Sequence, residues 1–532
     1  MQFFIKLKIL HHWSHIHNYG MICNSYFLYG ITKWIIITLL ISNIGILLIQ
    51  NIKYSYISYK ILIFFFMNIK LWIESEKMTK YYLSGIAGSG MNVIGQYLIA
   101  AGNKVYGSDR NFDHGFDLEY KYYLESQGIV IVPQNGKIID SSFDYCIFSA
   151  AVEQSVPDYQ KAATLGIPIL PRSHFLKNIF NEKKSIGIAG TSGKTTVTGM
   201  LTTILKECGL DFTLFCGSEI INYAKNGLGG NFFYSENDLL VAEVDESDKC
   251  IEKYKADIAV VLNISEDHMP LEDLKIIFFK YMKNAQHVIY NKDCPVLKKL
   301  IVKVGALAFV KTFSLKDDAA DIFIDNIKIF PQGSFFTVKG IPFSLKVPGR
   351  YNIENAAAAI STAYMKGIPL STIAKKLRAF KGMKGRYEKI SVRNDQQIIY
   401  DFAHNPAKIE SLLQTATLLN PAIIFFYQPH GYTAFKNHLN SLIKIFRRRI
   451  RKRDIVIIGK IYDAGGTVER TISSFLLVKE IKKSSRQAFY AENKEQTEAL
   501  IKKYVKTVPV CFIVGARDRS LRDFAFKLKK NI

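Results

Sequence analysis

Ser185-Ile186-Gly187-Ile188-Ala189-Gly190-Thr191-Ser192-Gly193-Lys194-Thr195-Thr196 is the stretch on which the fold turns. Its first five residues are apolar or small and read as a buried strand, and Val197 to Glu207 reads as a helix. The glycine-rich turn between them is a P-loop. Glycines let backbone amides wrap phosphate oxygens, a lysine reaches the β/γ oxygens, and a hydroxyl holds Mg²⁺. Gly190, Thr191, Ser192, Gly193, Lys194, Thr195 and Thr196 are therefore the candidate ATP-binding residues, with Thr195 also a candidate Mg²⁺ ligand. Ile188 stands where a standard P-loop carries its first glycine.

Upstream, a short apolar strand runs into Gly85, Gly88, Ser89 and Gly90, and Asn92 to Ala101 reads as the following helix. A glycine turn before a helix N-terminus is a second place where an anion can approach backbone amides. Lys104 to Ser108 reads as the next strand and delivers Asp109 about where a Rossmann-type unit touches a ribose or sugar hydroxyl. The spacing is G-x-x-G-x-G, so a tight turn in any α/β unit is the other reading.

Downstream, the strand Asp238 to Glu243 ends in a carboxylate, and Asp245, Glu246 and Asp248 follow. A second strand from Ile258 delivers Asn263, Asp267 and His268. In a parallel sheet these ends share an edge with the P-loop, so Glu243 and His268 are candidate metal ligands. The acidic residues after Glu243 read equally well as a solvated turn. Short β-like runs (Ile322 to Phe330, Phe335 to Val338, Phe343 to Val347) precede a helix opened by Asn352 and Asn355. Those two amides, three apart on one helix face, can read an adenine edge; capping by Asn352 is the alternative. The last third carries Arg386, then Asp401-Phe402-Ala403-His404-Asn405-Pro406, with strands at Ala422 to Tyr427, Ile455 to Gly459 and Val510 to Gly515. The basic run Lys444 to Arg453 sits at a helix end, where cations complement the dipole.

The chain has 532 residues, 48% hydrophobic and 22% charged, which is a globular composition with room for several domains. Its net charge of +24 is spread along the chain, which argues against a nucleic-acid partner. Seven cysteines without a C-x-x-C pair fit neither a zinc site nor a disulfide framework, and point to a reducing cytoplasm. Residues 1–77 are a separate composition: no Ala, Val, Pro, Asp or Arg, and all three Trp. Their apolar run, Trp34 to Ile49, is shorter than the roughly 20 residues that span a bilayer. The expected reading is a translated AT-rich stretch outside the fold with the functional start at Met78; a membrane anchor is the alternative, and only then does a membrane become a partner.

With these blocks in this order, residues 78–532 resemble the Mur ligases, ATP-dependent amide-forming enzymes of peptidoglycan synthesis. The glycine turn with Asp109, and the Val241 to Asp248 block, resemble the branch holding the alanine-adding and murein-tripeptide-recycling enzymes. Folylpolyglutamate synthases share the P-loop and the Asp-x-Ala-His-x-Pro motif but lack such an N-terminal domain. The resemblance implies three α/β domains: a Rossmann-like UDP-sugar domain (78–178), a P-loop ATPase domain (179–380) and a Rossmann-like amino-acid domain (381–532). It implies that Gly85, Gly88, Ser89, Gly90 and Asp109 face UDP-N-acetylmuramate. Lys194 would meet the β/γ-phosphates, Thr195 and Glu243 one Mg²⁺ and His268 a second. Asn352 and Asn355 would face adenine, Arg386 the γ-phosphate, Asp401 the ribose region and His404 the incoming amine. Lys194, Arg386 and His404 are the candidate catalytic residues.

Tyr351 and Asn405 stand where this branch usually has histidines, and Gly431 and Ala434 replace two arginines that would hold an amino acid's carboxylate. The acceptor expected first is L-alanine, with a short peptide or another amino acid next. The competing class is a P-loop nucleotide-binding protein or motor without ligase activity, which would not need both a sugar nucleotide and an amine to release phosphate.

Overall fold

Strand β1 (Lys80–Ser84) shows how each layer is built. Successive side chains point to opposite faces, so Leu83 enters one core with Met91, Ile94 and Leu98, while Tyr82 enters another with Phe143, Cys146 and Ala162. The computed structural model describes residues 78–532 apart from 247–249, 266–268, 306–308, 394–395, 464–469, 519 and 532. Its strands form three sheets.

In the first, β1 is joined by β2 (Lys104–Ser108), β3 (Val130–Ile131), β4 (Tyr145–Phe148) and β5 (Ile169–Pro171). The order is β3-β2-β1-β4-β5 and all pairings are parallel. The second sheet comprises β6 (Lys184–Ala189), β7 (Thr213–Phe215), β8 (Phe232–Phe233), β9 (Leu239–Glu243), β10 (Ile258–Val261), β11 (His287–Asn291), β12 (Phe309–Ser314), β13 (Ile322–Phe330), β14 (Gly333–Val338) and β15 (Ile341–Leu345). Its order is β15-β14-β13-β12-β11-β10-β6-β9-β7-β8, parallel in the middle, with antiparallel β14 and β15 at one edge and β8 at the other. The third comprises β16 (Glu388–Arg393), β17 (Gln396–Asp401), β18 (Ile424–Gln428), β19 (Ile455–Gly459), β20 (Gln487–Ala491) and β21 (Val510–Gly515), in the order β16-β17-β21-β18-β19-β20. Only β16 runs antiparallel to its neighbour.

Parallel strands need crossovers, and the helices that supply them cover both faces of each sheet. β6 is central in its sheet, between β10 and β9, which places the P-loop beside the ends of both. Ile188 is fully buried among Val197, Met200 and Leu201. At the position of the missing P-loop glycine, the chain is thus still strand and its side chain is core.

The boundary expected at Asn178 falls inside the helix Arg172–Glu182. Phe175 and Leu176 of that helix pack against the first sheet's core, and Ile179 and Phe180 belong to the second's. Two helices begin earlier than expected: Ser89 rather than Asn92, and Lys194 rather than Val197. In both, the last glycine of the loop turns directly into the first turn. The basic run is spent on ion pairs: Arg447 with Glu480 and Arg449 with Glu410 on the partly exposed surface, and Arg451 with the fully buried Asp454. Among the described residues no helix is long and apolar enough to cross a membrane.

Candidate active site

The P-loop needs its glycines for two separate reasons. Gly190 and Gly193 have φ of +146° and +93°, which a side chain tolerates poorly. A Cβ on Gly193 would also collide with Asn355 Oδ1, and one on Gly190 would press on the Asn263 backbone. Asn263, just past β10, fixes the loop: its Oδ1 accepts from Thr191 Oγ1 and from Ser192 N, both at 2.9 Å, and its Nδ2 donates to Ser192 O at 3.0 Å. A loop held this way has its anion-binding amides oriented before any ligand arrives.

Lys194 opens the helix Lys194–Glu207, and its Nζ donates to Gly190 O at 2.8 Å and to Glu246 Oε2 at 2.6 Å. Burial by itself lowers the Lys194 pKa, but Glu246, with Asp245 and Glu243 behind it, outweighs that and holds the ammonium above its usual value. Glu246 is buried, so for this residue the solvated-turn reading is corrected: it is the partner of the P-loop lysine. Asp245 remains exposed, and Asp248 and His268 lie outside the described residues.

Thr195 Oγ1 stands 3.1 Å from Glu243 Oε2. The other oxygen, Oε1, accepts from Gly217 N at 2.6 Å and from the buried Cys216 thiol at 3.2 Å. Burial, then the Glu243 charge, pushes that thiol well up, so it stays a donor. Glu243 is thereby turned with Oε2 toward the loop, giving a hard-oxygen pair with Thr195 suited to a Mg²⁺ that completes its shell with phosphates and water. Among the described residues, no group of three or more His, Cys, Asp or Glu gathers as a metal site.

Asn355 lies at the P-loop, as its proximity to Gly193 shows. Asn352 donates its amide to Pro348 O at 2.7 Å, and the helix Arg350–Met365 is capped by Gly349 instead. Arg386 lies with its guanidinium 4.9 Å from the Phe402 ring centre, donating to Gly385 O. Asp401, at the end of β17, accepts Tyr387 N and Ala403 N, each at 2.7 Å. Burial raises its carboxyl, opposed by those two N–H groups and by Arg386.

His404 Nδ1 is 2.9 Å from Phe402 O. A carbonyl only accepts, so Nδ1 carries a proton and donates it to that bond. The His430 ring is 5.5 Å away, centre to centre. Asn405 caps the helix Pro406–Leu419 by accepting Lys408 N, a structural reason for an amide at that position.

In the first sheet, Gly85 (φ +85°) leaves no room for a side chain against Ser149, and its N–H bonds Ser108 O at 2.8 Å. Asp109 braces this turn: Oδ2 accepts Ala87 N at 2.9 Å and Oδ1 accepts Asn111 N at 3.0 Å. Asp158, which no local sequence pattern marks, is fully buried. Its carboxylate accepts Tyr82 Oη (2.7 Å), Ser108 Oγ (2.6 Å), Ser84 Oγ (3.2 Å) and Gly136 N (2.7 Å), tying together the ends of β1 and β2. Arg172 is a second unforeseen residue. Its guanidinium fills the space over Gly90, and Nη2 reaches Asp245 Oδ2 at 3.7 Å.

Two family models match along the chain: the Mur ligase family catalytic domain over residues 80–184 and the Mur ligase middle domain over 188–363. A UDP-N-acetylmuramate–L-alanine ligase of Sulfurihydrogenibium sp. is 30% identical over 452 residues, covering 83% of this chain and 95% of the relative. The chain belongs to the Mur ligase family. An enzyme of the same description from Acetivibrio thermocellus is 30% identical over 459 residues, covering 84% of this Mur ligase and 95% of the relative. Its fold is similar to that of the crystal structure of the UDP-N-acetylmuramate-alanine ligase from Thermotoga maritima (TM-score 0.68, 24% identity, 85% of this chain and all of that one). The murein peptide ligase from Psychrobacter arcticus is also similar (TM-score 0.62, 20% identity, 85% and 99% covered). This Mur ligase is thus an ATP-dependent ligase of peptidoglycan synthesis by family.

Proposed function

We propose that this Mur ligase joins L-alanine to UDP-N-acetylmuramate, with the three domains assigned to sugar nucleotide (78–178), ATP (179–380) and amino acid (381–532). The observation that carries the reading is the P-loop cluster, Lys194 with Glu246 and Thr195 with Glu243, in one chain with a glycine-turn sheet before it and a histidine-bearing sheet end after it. The relatives named above, described as alanine-adding enzymes, support the same acceptor.

A carboxylate is a poor electrophile. Its oxygen attacks the γ-phosphorus of ATP, releasing ADP and forming an acyl phosphate; the amine then attacks the carbonyl carbon, and phosphate leaves as the amide forms. Lys194 moves from Glu246 to the β/γ oxygens, and Arg386 offsets the charge on the transferring group. Asn352 and Asn355 border the adenine and Asp401 the ribose. Thr195 and Glu243 would hold Mg²⁺, with His268 the partner for a second ion. Bound there, Mg²⁺ supplies charge neutralisation at the phosphates. His404 takes a proton from the incoming ammonium, and the free amine is then the nucleophile. The six described cysteines are free, as in a reducing compartment such as the cytoplasm.

A peptide acceptor is the second reading, favoured by Gly431 and Ala434, which put no arginine at the start of the helix Tyr432–Arg449 and leave Lys436 as the nearest cation along it. The test is phosphate release with ATP and UDP-N-acetylmuramate fixed. Release should require the amine, and L-alanine should outrun murein tripeptide at equal concentration. A tenfold preference for the tripeptide replaces the first reading with the second, and release with neither sugar nucleotide nor amine removes both.

A further inference from the structure

The positive charge is not evenly shared along the chain. Residues 381–532 hold 30 Lys and Arg against 13 Asp and Glu, whereas residues 78–380 hold 33 against 31. Topology then gathers the excess. β17, β21, β18, β19 and β20 run parallel, so each helix that follows one of them returns its C-terminus to the edge where the strands begin. Cations suit helix C-termini, and four of these helices supply them there. Lys482 ends the helix Phe475–Lys482, Lys503 and Lys506 stand at the end of Lys494–Tyr504, and Lys529 and Lys530 at the end of Ser520–Asn531. Lys452 and Arg453 lie between the helix Tyr432–Arg449 and β19.

All seven side chains are exposed, and none makes an ion pair among the described residues. The acids at this edge are already engaged, Glu480 by Arg447 and Lys483, and Glu498 by Lys502 and Lys527. The fifth helix, Pro406–Leu419, ends at the same edge without a cation, and there Leu418 is 67% exposed. Its neighbour Thr417 accepts Arg451 Nη1 at 2.7 Å, which sets the leucine beside the basic residues. Asp401 and the His404–His430 pair lie at the opposite edge, where the strands end.

Six lysines to one arginine make a set of flexible point charges rather than planar forks that read one phosphate's geometry. Spread over four helix ends, they match a diffuse negative surface, and an exposed leucine among them serves a lipid partner and not a nucleic acid. We propose that this edge of the third sheet is a docking face for an anionic lipid bilayer, with the lysines against the headgroups and Leu418 entering between them. The protein then lies on the membrane surface with its site turned to the solution.

The test is co-sedimentation of the full chain with vesicles of phosphatidylcholine alone, and of phosphatidylcholine and phosphatidylglycerol in equal parts. Binding should be about tenfold or more tighter to the second and should weaken with salt. At roughly fivefold per lysine near an anionic surface, Lys503→Gln/Lys506→Gln and Lys529→Gln/Lys530→Gln should each lose about tenfold or more. Leu418→Ser should lose a few-fold with the salt dependence unchanged. Lys298→Gln/Lys299→Gln, an equal charge change on an exposed stretch of the helix Pro295–Val304, should bind as the parent does. All three lysine variants should keep the parent's phosphate release, because the face lies away from the site. Lysine variants at the docking face that sediment like the parent would overturn the proposal. So would equal binding to both vesicles, which would point to the apolar residues 1–77 instead. Duplex DNA bound through the same lysines more tightly than the anionic vesicles at equal salt would overturn it in favour of a nucleic acid.

Discussion

Lys194→Ala should cost stability as well as turnover, and the two losses can be separated. Glu246 is buried, with a side chain 2% exposed, and Lys194 is 17% exposed. Removing the lysine leaves a carboxylate out of water without its cation. Breaking a buried pair this way costs about 3–5 kcal/mol; residual hydration of Lys194 places the cost near the lower end, about 3 kcal/mol. For a P-loop domain of roughly 200 residues, at about 2–4 °C per kcal/mol, the ligand-free variant should melt about 6–12 °C below the parent. Turnover should fall by about two to three decades through the lost phosphate contact. In Lys194→Met/Glu246→Leu both charges are gone, and melting should return to within about 1 kcal/mol of the parent while turnover stays low. Because Glu246 raises the folded-state pKa of Lys194, the pair's stability is complete below the unfolded lysine value of about 10.4 and fades only as pH rises through the folded value. The gap between parent and variant should therefore be constant between about pH 6 and 9. Scanning calorimetry without ligand reads all of this. A Lys194→Ala chain that melts with the parent, or a double variant as unstable as the single, would refute the argument.

Glu243→Gln should raise the Mg²⁺ concentration for half-maximal rate about tenfold, since Oε2 is the oxygen left facing Thr195, and an unchanged Mg²⁺ titration would remove Glu243 from the metal site. Asp158→Ala should destabilise the first sheet by about 3 kcal/mol, because four donors lose one acceptor; hydrogen exchange at β1 and β2 reads the loss, and parent-like protection would contradict it. Burial raises Asp401 above its unfolded value, so the folded chain binds that proton more tightly and stability falls as pH rises from about 4 through the folded value. Asp401→Asn should flatten that segment of the stability–pH curve, and an identical slope in parent and variant would show the group titrates normally. A chain beginning at Met78 should retain the parent's phosphate release, since every site residue lies downstream; loss of activity on removing residues 1–77 would give them a role in the enzyme.

What the sequence determined by itself is what lies within one strand–loop–helix unit. Gly190 to Thr196, Gly85 to Gly90 and the strands Ile322–Phe330, Ile455–Gly459 and Val510–Gly515 are all legible, because backbone freedom and a short apolar run bounded by turn residues are local properties. Glu243 beside Thr195 was legible too, as a carboxylate at a strand end on the P-loop's edge. Only the tertiary structure decided which of the acids after Glu243 turns inward. Glu246 meets Lys194 from 52 residues away because β9 pairs directly with β6. Asp158 reaches Tyr82 across 76 residues, and Arg172 reaches Gly90 because a helix joining two sheets begins beside that turn. The third sheet makes the same point, since β21 inserts between β17 and β18 and sets Asp401 and Gln428 on either side of one strand end. A charged residue's partner is fixed by strand order and crossover, which bring distant segments within hydrogen-bond reach and which no local pattern encodes.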